Sequence, residues 1–284
     1  LSDDLNTAEV YGRSAAFFDL DKTLIEGSSA FHFARAAYRA GLMSRAQLVR
    51  DLLANLRFRV QGSTDAGTAQ LRERVQGTLK GMRVIDLDRL APEVLAGVLP
   101  GVYRQVLDTA YAHQDMGRRV YIVTAGSQNI AELLAHVLLL DGGIGTRYEV
   151  KDGVYTGRIT GPFTYREGKA EAVFEVAARE GLDLQACYAY SDSESDLPLL
   201  RCVGHPVAVN PDAQLERIAR DEDWQVMRFD RLGRQLRLGS SVAAVALLGG
   251  GGGYWVARRN RRRGGIIFNP RRRLPGRGNR MPLK

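Results

Sequence analysis

Residues Ala15, Ala16, Phe17 and Phe18 form an unbroken apolar run of strand length that stops at Asp19, and Asp21 follows after a single leucine. A strand apolar at every position fits a parallel sheet whose two faces are both covered by helices. Residues 28–98 read differently. Their apolar positions recur at helical spacing over 28–40, 44–59, 68–79 and 87–98, broken near Gly41, between Gly62 and Gly67, and at Gly81. Phe31, Phe33, Ala34, Ala37 and Tyr38 give the first of these an apolar side, and Pro100-Gly101 closes the stretch. The pattern then alternates. A helix over 102–114 leads to a strand over 119–123 and a helix over 128–139. Residues 148–160 read as two short antiparallel strands turned at Asp152-Gly153. A helix over 170–179, a strand over 186–190 and a helix over 197–201 follow, with Pro198 at an early helical position. The last strands are expected over 203–209, with Pro206 at an edge or beginning, and over 224–229. Strand, helical insertion, strand, helix, hairpin, helix, strand and helix make a mostly parallel α/β sheet with a separate helical region inserted after its first strand.

That order brings a set of polar groups to strand and helix edges: Asp19 and Asp21, Thr124, Lys169, and Asp192 with Asp196. Open α/β sheets carry their chemistry at the carboxyl ends of strands. Two carboxylates one residue apart repel each other unless a cation or a shared proton compensates them. The chemistry that fits is phosphate-ester hydrolysis. A hard Mg²⁺ ion prefers oxygen ligands, and Asp19, the Leu20 carbonyl and Asp192 can supply them. Asp19 can then attack phosphorus, while Asp21 protonates the departing alcohol and later deprotonates water. Thr124 can donate to a phosphoryl oxygen, and Lys169 supplies positive charge to the phosphoryl group in flight.

The fragments FFDLDKTL, YIVTAGS, GK and YSDSESD, beginning at Phe17, Tyr121, Gly168 and Tyr190, resemble in order the four motifs of the haloacid dehalogenase-type phosphatases. The resemblance implies a doubly wound α/β core, Mg²⁺ and a phospho-aspartyl intermediate. Asp19 is implied as nucleophile, Asp21 as acid/base, Thr124 and Lys169 as phosphate partners, and Asp192 as metal ligand. Asp196 is implied to organise the metal site, directly or through water. The insertion is similar to the C1 helical cap of the phosphoserine-phosphatase-like branch, and VKDGVYTGRI, from Val150, matches its hairpin. The expected domains are a core of residues 14–27 and 100–230, a cap of 28–99 and a basic tail of 231–284. Specificity is divided. The segment Leu71-Arg72-Glu73-Arg74-Val75 resembles one whose arginine binds a substrate carboxylate, which nominates Arg74. Ser28 stands where phosphoserine phosphatases carry a substrate-binding glutamate, and Ser195 replaces their usual asparagine. Phosphoserine, another carboxylate-bearing ester and transfer to an alcohol acceptor all remain open.

Composition adds one correction. The net charge of +8 is unevenly spread: residues 231–284 hold 14 of the 40 basic residues and no acid, leaving 26 basic against 32 acidic side chains before them. A nucleic-acid role read from net charge therefore rests on the tail alone. Within the tail, residues 238–257 carry no charge, long enough to cross a bilayer but weakened as a helix by five successive glycines. Arginines flanking it suit an anionic membrane surface, so insertion and peripheral attachment both stay open, as does a binding protein on an inactive phosphatase fold. Residues 1–9 are polar and acidic, without an export pattern, so a cytoplasmic catalytic body is expected. His32, His113, His136 and His205 form no close cluster, and Cys187 and Cys202 no metal-ligand pattern, which speaks against zinc and against a structural disulfide.

Overall fold

The computed structural model describes residues 13–47, 49 and 65–229. The first apolar run is strand β1, Ala15–Asp19, buried at every position. It is central: β2 (Arg119–Ser127) pairs with it in parallel on one side and β6 (Tyr188–Ser191) on the other. Phe17 and Phe18 point to opposite faces and are both fully buried, in two separate apolar clusters. Each such side chain contributes about 1.5–3 kcal/mol of burial. With β3 (Gly142–Thr146), β7 (His205–Val209) and β8 (Gln225–Met227) the sheet has the order β3-β2-β1-β6-β7-β8, every pair parallel. The chain builds β1 to β3 in one direction and then returns to the other side of β1. The reversal lies between β1 and β6, where an open parallel sheet leaves a crevice at its carboxyl edge.

One face is covered by α5 (Arg104–Asp115) and α6 (Gln128–Val137), the other by α7 (Glu167–Glu180), α8 (Leu197–Arg201) and α9 (Ala213–Asp221). The insertion supplies α1 (Ser29–Arg39), α2 (Asp65–Leu79), α3 (Val84–Asp88) and α4 (Ala91–Val98). Its apolar side is continuous with the sheet: Ala36, Ala37, Leu87, Val94 and Val98 share one buried cluster with Phe18, Leu24 and Ile122. Its two connections to the core lie side by side, the Glu26 N–H donating to the Gly101 carbonyl at 2.7 Å and Ile25 bridging Val102.

The hairpin forms as expected, β4 (Tyr148–Lys151) against β5 (Val154–Ile159), with Asp152 and Gly153 both at positive φ in the turn. It also clasps the cap. Gly81 N–H donates to the Tyr155 carbonyl, Tyr155 N–H to the Met82 carbonyl and Val84 N–H to the Gly153 carbonyl, each at 2.9 Å.

Strand β3 has no counterpart among the expected elements. Its sequence is Gly-Gly-Ile-Gly-Thr, and the glycines are there because α6 lies against it: a Cβ on Gly143 would stand 2.1 Å from the Ala131 carbonyl carbon. The outer edge of β3 is occupied by a side chain, Gln128 Nε2 donating to the Gly143 carbonyl at 2.8 Å and Gly145 N–H to Gln128 Oε1 at 2.7 Å. Pro206, expected at an edge or a beginning, is the second residue of an interior strand. His205 N–H faces β6, so the missing donor of Pro206 faces the other side, where β8 pairs only from Val207 onward. Expectations for 51–64 and for the tail lie outside the described residues, among which no helix is long and apolar enough to cross a membrane.

Candidate active site

Charged side chains meet at the carboxyl ends of β1 and β6. Asp19 ends β1, and Lys169, in the first turn of α7, places its ammonium 2.5 Å from Asp19 Oδ1 and 2.7 Å from Asp196 Oδ2. Ser191 Oγ, at the end of β6, donates to the same Asp196 oxygen at 2.7 Å. Asp19, Lys169, Asp192 and Asp196 are all buried, none more than 6% exposed. Gly168 makes the approach of α7 possible, since a Cβ there would lie 1.8 Å from the Phe163 carbonyl oxygen. Backbone contact explains why a glycine precedes this lysine.

Burial raises the Asp19 pKa well above the usual carboxylate value; Lys169 opposes the shift, while Asp196 and Asp192 add to it. For Lys169, burial alone pulls the ammonium pKa down, but Asp19 and Asp196 more than offset it, so its pKa is raised and it stays charged. One buried cation thus faces three buried carboxylates. Lys22 Nζ, on a side chain 41% exposed, lies 3.8 Å from Asp192 Oδ2. Such a set holds its charge at a cost unless more positive charge is supplied.

Thr124 is buried and stands one residue past Val123, the register partner of Asp19. Its Oγ1 accepts from Gly126 N–H at 3.1 Å, which leaves the hydroxyl proton available for donation. Asp192 lies in the loop after β6, and Thr23 Oγ1 approaches its Oδ1 at 3.4 Å. Asp21 is not joined to the lysine. Ser28 Oγ donates to its Oδ2 at 3.1 Å and Ser29 N–H to its Oδ1 at 2.7 Å.

The Leu20 carbonyl, expected as a metal ligand, accepts from the N–H groups of Leu24 and Ile25 at 3.0 Å, the first of them shared with the Asp19 carbonyl at 3.2 Å. Arg74 is half-buried on α2, and among the described residues no side-chain contact joins it to the Asp19–Lys169 group.

Thr23 and Ser191 belong to the site but carried no role in the sequence reading, and Asp212 braces it from further off. Asp212 accepts from Gln214 and Leu215 N–H to cap α9 and from Glu194 N–H at 3.1 Å, while its own N–H donates to the Asp192 carbonyl at 2.9 Å. The available signal was an aspartate between a proline and a helical run, an ordinary N-cap pattern.

Among the described residues no three His, Cys, Asp or Glu side chains are disposed to hold one ion. Asp196 is engaged with Lys169 and Ser191. Asp19 and Asp192 remain as carboxylate donors, and that fits Mg²⁺, which is commonly held by one or two carboxylates with water and substrate phosphate completing the shell.

The family model for haloacid dehalogenase-like hydrolases matches residues 16–201, which span Asp19 to Asp196. The chain belongs to the haloacid dehalogenase-like hydrolases. Phosphoserine phosphatase SerB1 of Mycobacterium tuberculosis is 36% identical over 228 residues, covering 80% of this chain and 74% of that protein. A histidinol-phosphatase of Neisseria meningitidis is 31% identical over 230 residues, covering 76% of this chain and 99% of that one. A solved structure of a Bordetella pertussis protein of unknown function aligns with a TM-score of 0.68 at 33% identity, covering 76% of this chain and 98% of that one. Within the haloacid dehalogenase-like hydrolases the chain falls in the phosphoserine-phosphatase-like branch, and its inserted helices are consistent with the cap of that branch.

Proposed function

We propose that this hydrolase is a Mg²⁺-dependent phosphomonoesterase that passes a phosphoryl group from a small phosphorylated metabolite through Asp19 to water. The observation that carries the reading is the buried chain Ser191–Asp196–Lys169–Asp19 at the sheet's reversal point, with Asp192 beside it.

Lys169 engages Asp19 Oδ1, which leaves Oδ2 as the oxygen that attacks phosphorus. As the new P–O bond forms, the bond to the ester oxygen breaks, and Asp21 delivers its proton to that oxygen so that a neutral alcohol departs. Asp21, now a carboxylate, takes a proton from water as the water attacks the phospho-aspartate; inorganic phosphate leaves and Asp19 is restored. Lys169 and the Thr124 hydroxyl stabilise the charge spread over the phosphoryl oxygens. Asp196 and Ser191 hold Lys169 in position. Asp19 and Asp192 would hold Mg²⁺, which when bound supplies Lewis-acid polarisation of the phosphoryl group.

Relatives named for phosphoserine and for histidinol phosphate support the reaction rather than one substrate. Phosphoserine or another carboxylate-bearing ester is the finer reading, with Arg74 as the carboxylate partner. The test is a Mg²⁺-supported panel of phosphorylated amino acids, phosphorylated sugars and 4-nitrophenyl phosphate. Asp19→Asn is expected to lower kcat about 10³-fold or more while retaining the fold, as checked by circular dichroism. Turnover near the wild-type rate in that variant would remove Asp19 as nucleophile. Arg74→Ala should cost kcat/KM on carboxylate-bearing esters and leave the others alone; equal losses on both would end that assignment.

A further inference from the structure

The contacts of Asp21 are made by the start of the cap. Ser28 precedes α1 in extended conformation, φ −132° and ψ 124°, and Ser29 is the first residue of that helix, buried. A serine in this position ordinarily turns its hydroxyl back onto the amides of its own helix. Ser28 makes no such bond. Its hydroxyl goes to Asp21, and the first helical N–H goes to the other oxygen of the same carboxylate. The aspartate thereby caps α1, with its charge at the positive end of the helix. Two donors on two different oxygens fix the rotation of the carboxylate plane; with the amide alone, the group can turn about that single bond.

From these contacts we infer that Ser28 is a positioning residue for proton transfer: together with the Ser29 N–H it aims the Asp21 carboxylate, so that the first helix of the cap sets where the acid/base group stands beside Asp19. The inference rests on the reading of Asp21 as acid/base given above. It also gives Ser28 a role other than the expected one. A hydroxyl already engaged by Asp21 acts on the departing alcohol through that carboxylate, not on the substrate's recognition groups. Alkyl alcohols need the proton in order to leave, whereas 4-nitrophenolate leaves readily without it.

The measurement is the ratio of kcat/KM for the alkyl phosphate turned over fastest in the panel to that for 4-nitrophenyl phosphate. In Ser28→Ala this ratio is expected to fall about tenfold, the size of one hydrogen bond to a charged group. Ser28→Thr, which keeps a hydroxyl, should restore most of it. In an Asp21→Asn background, Ser28→Ala should change the ratio no further. Because the ratio is taken within one preparation, partial unfolding lowers both rates alike and leaves it unmoved. Equal losses on the two substrates, or a full additional loss in the double variant, would overturn the assignment to Ser28 alone. A wild-type ratio in Asp21→Asn would remove the acid/base reading and this one with it.

Discussion

Lys169 satisfies two buried carboxylates at once, and removing its charge strands both. Breaking a buried ion pair by deleting one partner costs about 3–5 kcal/mol. Lys169→Met is therefore expected to lose that much stability in urea titrations of the metal-free protein, in addition to its activity; an unchanged midpoint would mean that the carboxylates do not depend on the ammonium. A second buried group, outside the set that bonds Lys169, sets a pH dependence. His113 is 4% exposed, its Nε2 2.7 Å from the Tyr190 hydroxyl and its Nδ1 3.2 Å from Arg118 Nη1. Burial, aided by Arg118, lowers its pKa from the usual 6.5 to about 4. The unfolded chain takes up this proton first, so the contribution is complete above pH 6.5 and is lost as pH falls toward 4, about 3 kcal/mol in all. Urea midpoints from pH 7 to 4.5 should fall more steeply in the wild type than in His113→Asn; parallel profiles would contradict the shift. At this scale the sequence exposed charged groups well. Lys169 was legible because Gly168 and the order of motifs marked it. The bonds that Leu24 and Ile25 make to the Leu20 carbonyl were not legible, because what a backbone oxygen accepts is written in no side chain.

Elements were legible in proportion to the apolar surface they bury. Strand β1 announced itself because both its faces are covered, and every position had to be apolar. Strand β3 was silent because its helix packs so closely that glycine replaces the apolar signal. Gly143→Ala should force α6 away from β3 and cost about 1–3 kcal/mol, the usual penalty of overpacking, or more because the clash is with backbone. A melting temperature equal to the wild type would show that the two elements separate freely. The hairpin was readable from Asp152-Gly153, yet its clasp on the segment between α2 and α3 was not, since those bonds run between main-chain groups distant in sequence.

For the molecule as a whole, the order of elements foretold the parallel sheet and its insertion, while the direction of the strand reversal had to come from the structure. That reversal brings Asp19 and Asp192 from opposite halves of the chain to one crevice. The insertion was expected as a separate helical region, and its buried side chains share one cluster with those of the sheet, to which Leu24 and Ile25, in the stretch after β1, also belong. The sheet also has two margins. β8 is only three residues long, which offers little to a further strand. The β3 margin is longer, and there the carboxamide of Gln128 occupies the donor and acceptor that a neighbour would use, its nitrogen also donating to Glu132 at 2.8 Å. A single glutamine thus imitates a missing seventh strand. Gln128→Ala should bare that margin and make sedimentation velocity profiles shift with protein concentration, whereas profiles independent of concentration would mean that some other group turns neighbours away. With β8 too short to accept a strand, a bared β3 could meet only the β3 of a second copy, so the association expected of the variant stops at a pair of chains.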